Sequence, residues 1–223
     1  MKIIARIHND FKEKFGIPRQ SGLCAKLESR IVFEPEYRNP DALRGIEGYS
    51  HLWLIWQFSE AVRENWSPTV RPPRLGGNKR MGVFATRSPF RPNPIGLSSV
   101  KLERVEVSEK EGAVLVVSGA DLLDGTPIYD IKPYLAFTDS HPDAVGGFAD
   151  PVKEYALNVE ICKQLLTKIP VSKQETVISI LEQDPRPSYQ DDPEREYGMV
   201  FSDYEIFFKV KENTLTVTRI EKA

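Results

Sequence analysis

The sequence predicts a mainly β protein: an N-terminal seven-stranded β-barrel over residues 1–145 and a smaller C-terminal α+β domain over residues 151–223. Three observations lead there. Seven stretches in the first two-thirds of the 223-residue chain are β-branched, aromatic or alternating, with turn residues between them. Helical periodicity is scarce in the same region, and closing such strands into a barrel removes their exposed edges. Around "DSHPDAVGGFAD" proline, glycine and aspartate cluster as at a linker, and the pattern changes beyond it.

In chain order, the strands are "KIIARIH", "SRIVFEP", "SHLWLIWQF", "RMGVFAT", "IGLSSVKLERVEV", "AVLVVSGADLL" and "PIYDIKPYLAF". Between the second and third, "NPDALRGIEG" reads as a short helix with Asp41 near its start. The connection from Ser59 to Lys79 is long and proline-rich, and long ordered loops in compact domains are more often functional than not. After the linker, "PVKEYALNVEICKQLL" places apolar residues near helical spacing. In "SKQETVISILEQD", Ser172 and Glu175 have capping-box spacing ahead of an apolar run. The end of the chain reads as a hairpin turning near Glu212 and Asn213.

Composition excludes several classes. Hydrophobic content of 40% and charged content of 28% are those of an ordinary globular protein. "HLWLIWQF" is far too short to span a membrane, and Arg6 interrupts the apolar run at the N-terminus, unlike a signal peptide. Two distant cysteines, Cys24 and Cys162, argue against a disulfide framework, so a soluble cytoplasmic protein is expected. The three histidines are not spaced like a metal pair, and no metal is expected. Neither a Walker A sequence, a G-x-G-x-x-G fingerprint nor a G-x-S-x-G elbow is present.

The charge pattern is the strongest single signal. Between Asn65 and Leu102 there is no acid, but seven basic residues: Arg71, Arg74, Lys79, Arg80, Arg87, Arg91 and Lys101. The chain carries −2 overall, which leaves −9 for everything outside this window. Such asymmetry marks a surface for an anionic partner. Within it, "TRSPFRPNPIG" stiffens Arg87, Arg91 and Asn93 with three prolines, which lowers the entropy lost on ordering them. Arginine suits carboxylate and phosphate through its planar fork. "DLLDGTPIYD" forms a turn at Asp124 and Gly125 and crowds acids at a strand end. "GIPRQSG" and "QDPRPSY" add smaller polar loops, each also readable as an ordinary loop or a self-satisfied turn. His51 opens a strand, a position more often packed than catalytic.

Taken together, "IPRQSG", "RGIEGYSHLWLI", "VRPPRLGGNKRMGVFATRSPFRPNPIGLS", "DLLDGTPIYDIKPY" and "EQDPRPSY" resemble the TrmO (YaeB, TsaA-like) tRNA methyltransferases over nearly the whole chain. The resemblance implies a β-barrel class of S-adenosylmethionine enzyme, which accounts for the missing glycine fingerprint. It implies methylation of the exocyclic N6 of threonylcarbamoyladenosine beside the anticodon of threonine tRNA, and a homodimer. Matching motifs assigns cofactor contacts to Pro18, Arg19, Gln20, Arg87, Leu97, Leu123, Asp124, Gly125 and Thr126. Ser59 and Glu60 join them at the end of the third strand, where they stand in place of the His–Gln of relatives. Asp124, Arg87 and His51 are the catalytic candidates. Arg44, Arg91, Asn93 and the turn holding Asp184 and Arg186 are expected to face tRNA or the reacting base, with Arg71, Arg74, Lys79 and Arg80 on its phosphates. The competing reading is a barrel that binds RNA or a nucleotide without chemistry.

Overall fold

The computed structural model describes residues 1–72, 75, 79–152, 155–186 and 192–223. Its N-terminal part is a closed barrel of six strands: β1 (Ala5–His8), β2 (Glu28–Phe33), β3 (His51–Gln57), β6 (Ile95–Ser108), β7 (Gly112–Ser118) and β8 (Pro127–Pro133). β4 (Thr69–Val70) and β5 (Met81–Gly82) pair only with each other, in a separate ribbon. The strands run around the barrel in the order β1-β2-β7-β6-β3-β8, each antiparallel to its neighbours.

Alternation explains which strands close the barrel. In β3, Leu52, Leu54 and Trp56 are buried and the residues between them are not. Ala5, Ile7, Ile31, Val100, Leu115, Val117 and Ile128 fill the same interior. Each large side chain so buried contributes about 1.5–3 kcal/mol. The barrel has six strands, not seven, because "RMGVFAT" does not alternate against this core. Only Val83 of that stretch is buried, Phe84 is 71% exposed, and Val83–Ala85 form a 3₁₀ turn. Gly96 is required where it stands: a Cβ there would lie 2.2 Å from the indole of Trp56.

The C-terminal part is a four-stranded sheet with a helix against it. β10 (Tyr197–Phe201), β11 (Tyr204–Lys211) and β12 (Thr214–Lys222) form a meander, and β9 (Asn158–Glu160) adds parallel to β12. The predicted hairpin is present, with Glu212 at φ +54° in its turn. The helices are α1 (Ala136–Asp139), α2 (Lys163–Leu166) and α3 (Val171–Glu182). Among the described residues none is long and apolar enough to cross a membrane.

Three local expectations change. "NPDALRGIEG" forms two 3₁₀ turns, and the first is capped by the Asn39 side chain, which accepts from the Asp41 N–H. "PVKEYALNVEICKQLL" is not one helix, because Val159 is paired with Leu215 in the sheet, and this tertiary pairing outweighs local periodicity. Ser172 lies inside α3 and caps nothing; Pro170 precedes the helix with no side-chain cap. α3 nevertheless buries Thr176, Val177, Ile180 and Leu181.

The two parts share a core. The connection from β1 to β2 leaves the barrel and inserts Phe11, Cys24 and Leu27 among Leu157, Val177, Ile180, Met199, Phe201 and Phe208. Phe15 and Ile17 pack against the same cluster. A barrel loop is therefore held by the C-terminal domain. The chain has two hydrophobic cores, and the boundary between them does not fall at residues 145–151, because Phe11, Cys24 and Leu27 of the N-terminal segment belong to the C-terminal core.

Candidate active site at one end of the barrel

Strand direction places three connections at the same end of the barrel. β1, β3 and β7 finish there; β2, β6 and β8 start there. The connections are residues 9–27, 58–94 and 119–126. They carry Pro18, Arg19, Gln20, Ser59, Glu60, Arg87, Arg91, Asn93, Leu123, Asp124, Gly125 and Thr126, with Leu97 close by at the start of β6.

Hydrogen bonds join these connections. Arg87 Nη1 donates to Oε1 of Gln20, linking the second connection to the first. Gln20 Nε2 donates back to the carbonyl of Arg19 at 2.6 Å. Gly22 N–H donates to the carbonyl of Gly119 at 2.8 Å, linking the first to the third. Gly119 sits at φ +78° with the Gly22 backbone 3.2 Å from where its Cβ would be, so glycine is needed there. Lys14 reaches the carbonyl of Glu60 at 3.2 Å and its carboxylate at 3.1 Å. Ser59 and Glu60 are both exposed.

Two carboxylates three residues apart occupy opposite environments. Asp124 is fastened to the first connection: its Oδ1 accepts from the Asn9 N–H at 3.1 Å and its Oδ2 from Lys12 at 3.3 Å. His8 Nδ1 lies 3.3 Å from Oδ1. Burial pushes the Asp124 carboxyl up, but the Asn9 N–H and the charges of Lys12 and His8 outweigh it, and the net displacement is below the ordinary value. The backbone of this turn is committed too: Asp124 N–H donates to Phe11, Gly125 N–H to Ile7, and Thr126 N–H to Leu123. The "DGTP" turn thus bolts β8 to β1.

Asp121 is one of the three acids, with Asp124 and Asp130, that crowd the strand end in "DLLDGTPIYD", although the family motif assigns the role to Asp124. Asp121 Oδ1 accepts from the Ser98 hydroxyl at 2.5 Å, and Ser98 in turn accepts from Trp56 Nε1 at 2.9 Å. These two bonds link β3, β6 and the third connection. Burial raises the proton affinity of Asp121, opposed by Ser98, by backbone N–H groups including that of Ser21, and by the charge of Arg87. Ser21, Arg87 and Asp121 come from three different connections. A half-buried carboxylate of raised proton affinity within reach of an arginine's charge is a common attribute of reactive centres. Its only trace in the sequence was the crowding of acids in "DLLDGTPIYD", since Ser98 belongs to another strand.

The remaining candidates separate. Arg91 is half-buried and braces its own loop, Nη1 donating to the Thr86 carbonyl at 2.8 Å. Asn93 is exposed. Arg71, Lys79 and Arg80 are exposed beyond the β4–β5 ribbon, while Arg74 lies outside the described residues. His51 starts β3 and faces outward, about 20 Å along the strand from Gln57 at the loop end. It lines a groove of about 440 Å³ with Lys101 and Glu103 and with Gly22, Lys26, Ser118 and Gly119, so the stagger of the strands brings it level with the first and third connections. Arg44 lies on the connection at the other end, paired with Asp41. Asp184 and Arg186 are buried side chains in this structure, 6% and 7% exposed and bonded to each other at 2.9 and 3.0 Å. Among the described residues, no group of three or more His, Cys, Asp or Glu is placed to hold a metal ion.

Comparison with known proteins agrees with this architecture. Residues 6–140 match the family model of the tRNA-methyltransferase O N-terminal domain, and residues 154–223 match that of the TrmO C-terminal domain. The chain is 44% identical to the Escherichia coli tRNA (adenine(37)-N6)-methyltransferase over 98% of its own length and 96% of the relative's. It is 47% identical to the enzyme of the same name from Eikenella corrodens, over 77% of this chain and 97% of that one. A crystal structure of TrmO from Pseudomonas aeruginosa superposes with a TM-score of 0.80 at 34% identity, covering 99% of this chain and 95% of that one. With both of its parts matched to one family, the chain belongs to the TrmO family of tRNA methyltransferases.

Proposed function

We propose that this protein transfers a methyl group from S-adenosylmethionine to N6 of adenine 37 in tRNA, and that the reaction takes place at the barrel end where the three connections meet. The relatives named for this reaction carry the activity. The joining of the three connections through Gln20–Arg87 and Gly22–Gly119, with Asp121 held by Ser98 on the third, carries the location.

The donor set fits the cofactor in kind. Arg87 offers a guanidinium to an amino-acid carboxylate. Leu97, 58% exposed at the mouth, and Leu123 offer apolar surface to a purine. Asp121 offers a carboxylate to hydroxyl groups or to a cationic centre. The backbone of the "DGTP" turn and both oxygens of Asp124 already have partners, so the turn shapes the site and Asp121 takes the functional part assigned by motif to Asp124.

S-adenosylmethionine supplies an electrophilic methyl group, so the protein's task is alignment and proton management. Gln20 holds Arg87 in place. Asp121 is suited to accept a proton from an amide-like nitrogen, because burial keeps its proton affinity high. The exposed cations Arg71, Lys79 and Arg80 lie beyond the ribbon on the second connection, where phosphate contacts would position RNA. The finer assignments are a threonylcarbamoyl-modified adenine as substrate, threonine tRNA as its carrier, and a homodimer in solution. A carboxylate on the base matches the arginine-rich, acid-free window.

The test is methyl transfer from labelled cofactor to tRNA prepared with and without the threonylcarbamoyl group, read by mass spectrometry of the digested nucleosides. Methylation of the modified tRNA alone supports the reading. Equal methylation of both refutes carboxylate recognition, and none of either refutes the activity. Sedimentation at micromolar protein checks the dimer.

A further inference from the structure

A continuous hydrogen-bonded path runs from the C-terminal domain into the candidate site. Arg19 Nη2 donates to two backbone carbonyls of that domain, Asp184 at 3.2 Å and Arg186 at 2.7 Å. The next residue, Gln20, is folded back onto the Arg19 carbonyl through Nε2 and presents Oε1 to Arg87.

The turn that offers the two carbonyls is rigid. Asp184 has φ +51°, a conformation that needs support from its surroundings. The support is a bidentate ion pair with Arg186, the Arg186 N–H on Oδ1 at 3.3 Å, and the Tyr155 hydroxyl on Oδ2 at 2.9 Å. Both charged residues are more than nine-tenths buried. Below it, Phe11, Cys24 and Leu27 anchor the rest of the same connection in the C-terminal core.

We infer that the Asp184–Arg186 turn is a positioning element for the methyl-transfer site: it clasps Arg19, and through Arg19 it sets Gln20 and hence Arg87. This deepens the proposed function and rests on it. Arg19 and Arg186 then act at a distance. Neither their charge nor tRNA contact is what the reaction uses. What matters is that two carbonyls, held by a buried ion pair, fix the first connection against the second. It also gives a reason for the C-terminal domain to share a core with a barrel loop, since an RNA-binding appendage alone would need no such merger.

The experiment is calorimetric titration of S-adenosylmethionine into the full-length protein, with initial rates on tRNA at varied cofactor. The variants are Arg19→Ala, Gln20→Ala, the two combined, and Arg186→Lys, which keeps the charge but loses the two-pronged contact. Each single variant is expected to weaken cofactor binding about tenfold, the scale of one lost hydrogen bond to a charged group. The rate at saturating cofactor should stay within about threefold, because alignment is restored once the site is filled. The combined variant should be no worse than about twofold beyond either single, since both residues belong to one path. Melting temperatures report whether each variant is folded; if Arg186→Lys is not, the Arg19 and Gln20 set still decides. A parent that binds cofactor alongside variants that bind equally tightly overturns the inference. So does a combined loss equal to the product of the single losses. A parent that binds no cofactor overturns the functional reading itself, and this inference with it.

Discussion

The two ends of the barrel share the same strands and differ in what joins them. At one end, residues 9–27, 58–94 and 119–126 meet and are cross-linked through Gln20–Arg87, Gly22–Gly119 and Lys14–Glu60. At the other, residues 34–50 and the tight β6–β7 hairpin cover the core with Tyr37, Leu43 and Ile46. Arg44 there pairs locally with Asp41. The barrel core makes no distinction between the ends. The proposed chemistry belongs to the first end, where three connections meet; at the other, long-range contacts such as Arg30–Glu111 and Arg38 to the Lys110 carbonyl tie the wall to a single hairpin.

Substitutions that probe this contrast should have graded effects. Arg87 faces the largest. Arg87→Ala should lower kcat/KM by about 100-fold or more, and Arg87→Lys should recover little, since an ammonium does not reproduce a planar fork. Steady-state rates at several cofactor concentrations measure this. Activity within a few-fold of the parent would remove Arg87 from the site.

The Asp121 and Asp124 pair sharpens the comparison within the active end. Asp121→Asn should cost about 100-fold in rate even at saturating cofactor if it accepts a proton. It should not destabilise the fold at neutral pH. A buried carboxylate with raised proton affinity favours folding in its protonated form, so its contribution falls as pH rises through the folded value, and an amide escapes that loss. Asp124→Asn should do the reverse. Its rate at saturation should stay near the parent's, and its melting temperature should drop by about 2–4 °C at neutral pH. Because the Asp124 proton affinity is lowered on folding, its stabilisation is present above the ordinary aspartate range and is lost as pH falls below it. The two melting curves should therefore converge in acid. Thermal scans across pH, paired with rates, separate the roles.

Smaller effects are expected farther out. Neutralising Arg71 or Arg80 should reduce the salt dependence of tRNA binding by about one phosphate contact. An unchanged slope in filter-binding titrations would place the ribbon tip off the RNA. Least of all, Arg44→Ala should leave cofactor affinity within about twofold, read by calorimetry. A tenfold loss there would make the two ends equivalent.

Much of this was legible in the chain. Alternation in "HLWLIWQF" and its companions gave the barrel strands, and the acid-free arginine window pointed to an anionic partner. Motif resemblance named the loops that the fold then brought to one end. What was not legible depended on contacts between distant residues. The extra strand failed because Phe84 is apolar yet exposed, which no local pattern reveals. The helical spacing read in "PVKEYALNVEICKQLL" failed because Leu215 claims Val159 across the sheet. Asp124 was favoured over Asp121 because turn chemistry is local, whereas Ser98 and Trp56 reach Asp121 from other strands. The Asp184 and Arg186 turn looked like a surface motif, and it is buried because Arg19 lies far away in sequence and directly beside it in space.

The central claim is that cofactor and chemistry occupy the looped end of the barrel. Amide hydrogen exchange of the full-length protein, with and without saturating S-adenosylmethionine, tests it most directly. Protection is predicted in peptides covering residues 17–22, 86–98 and 119–126, with no change across residues 38–50 and 106–113. Protection confined to the latter peptides, with the three connections unaffected, would contradict it.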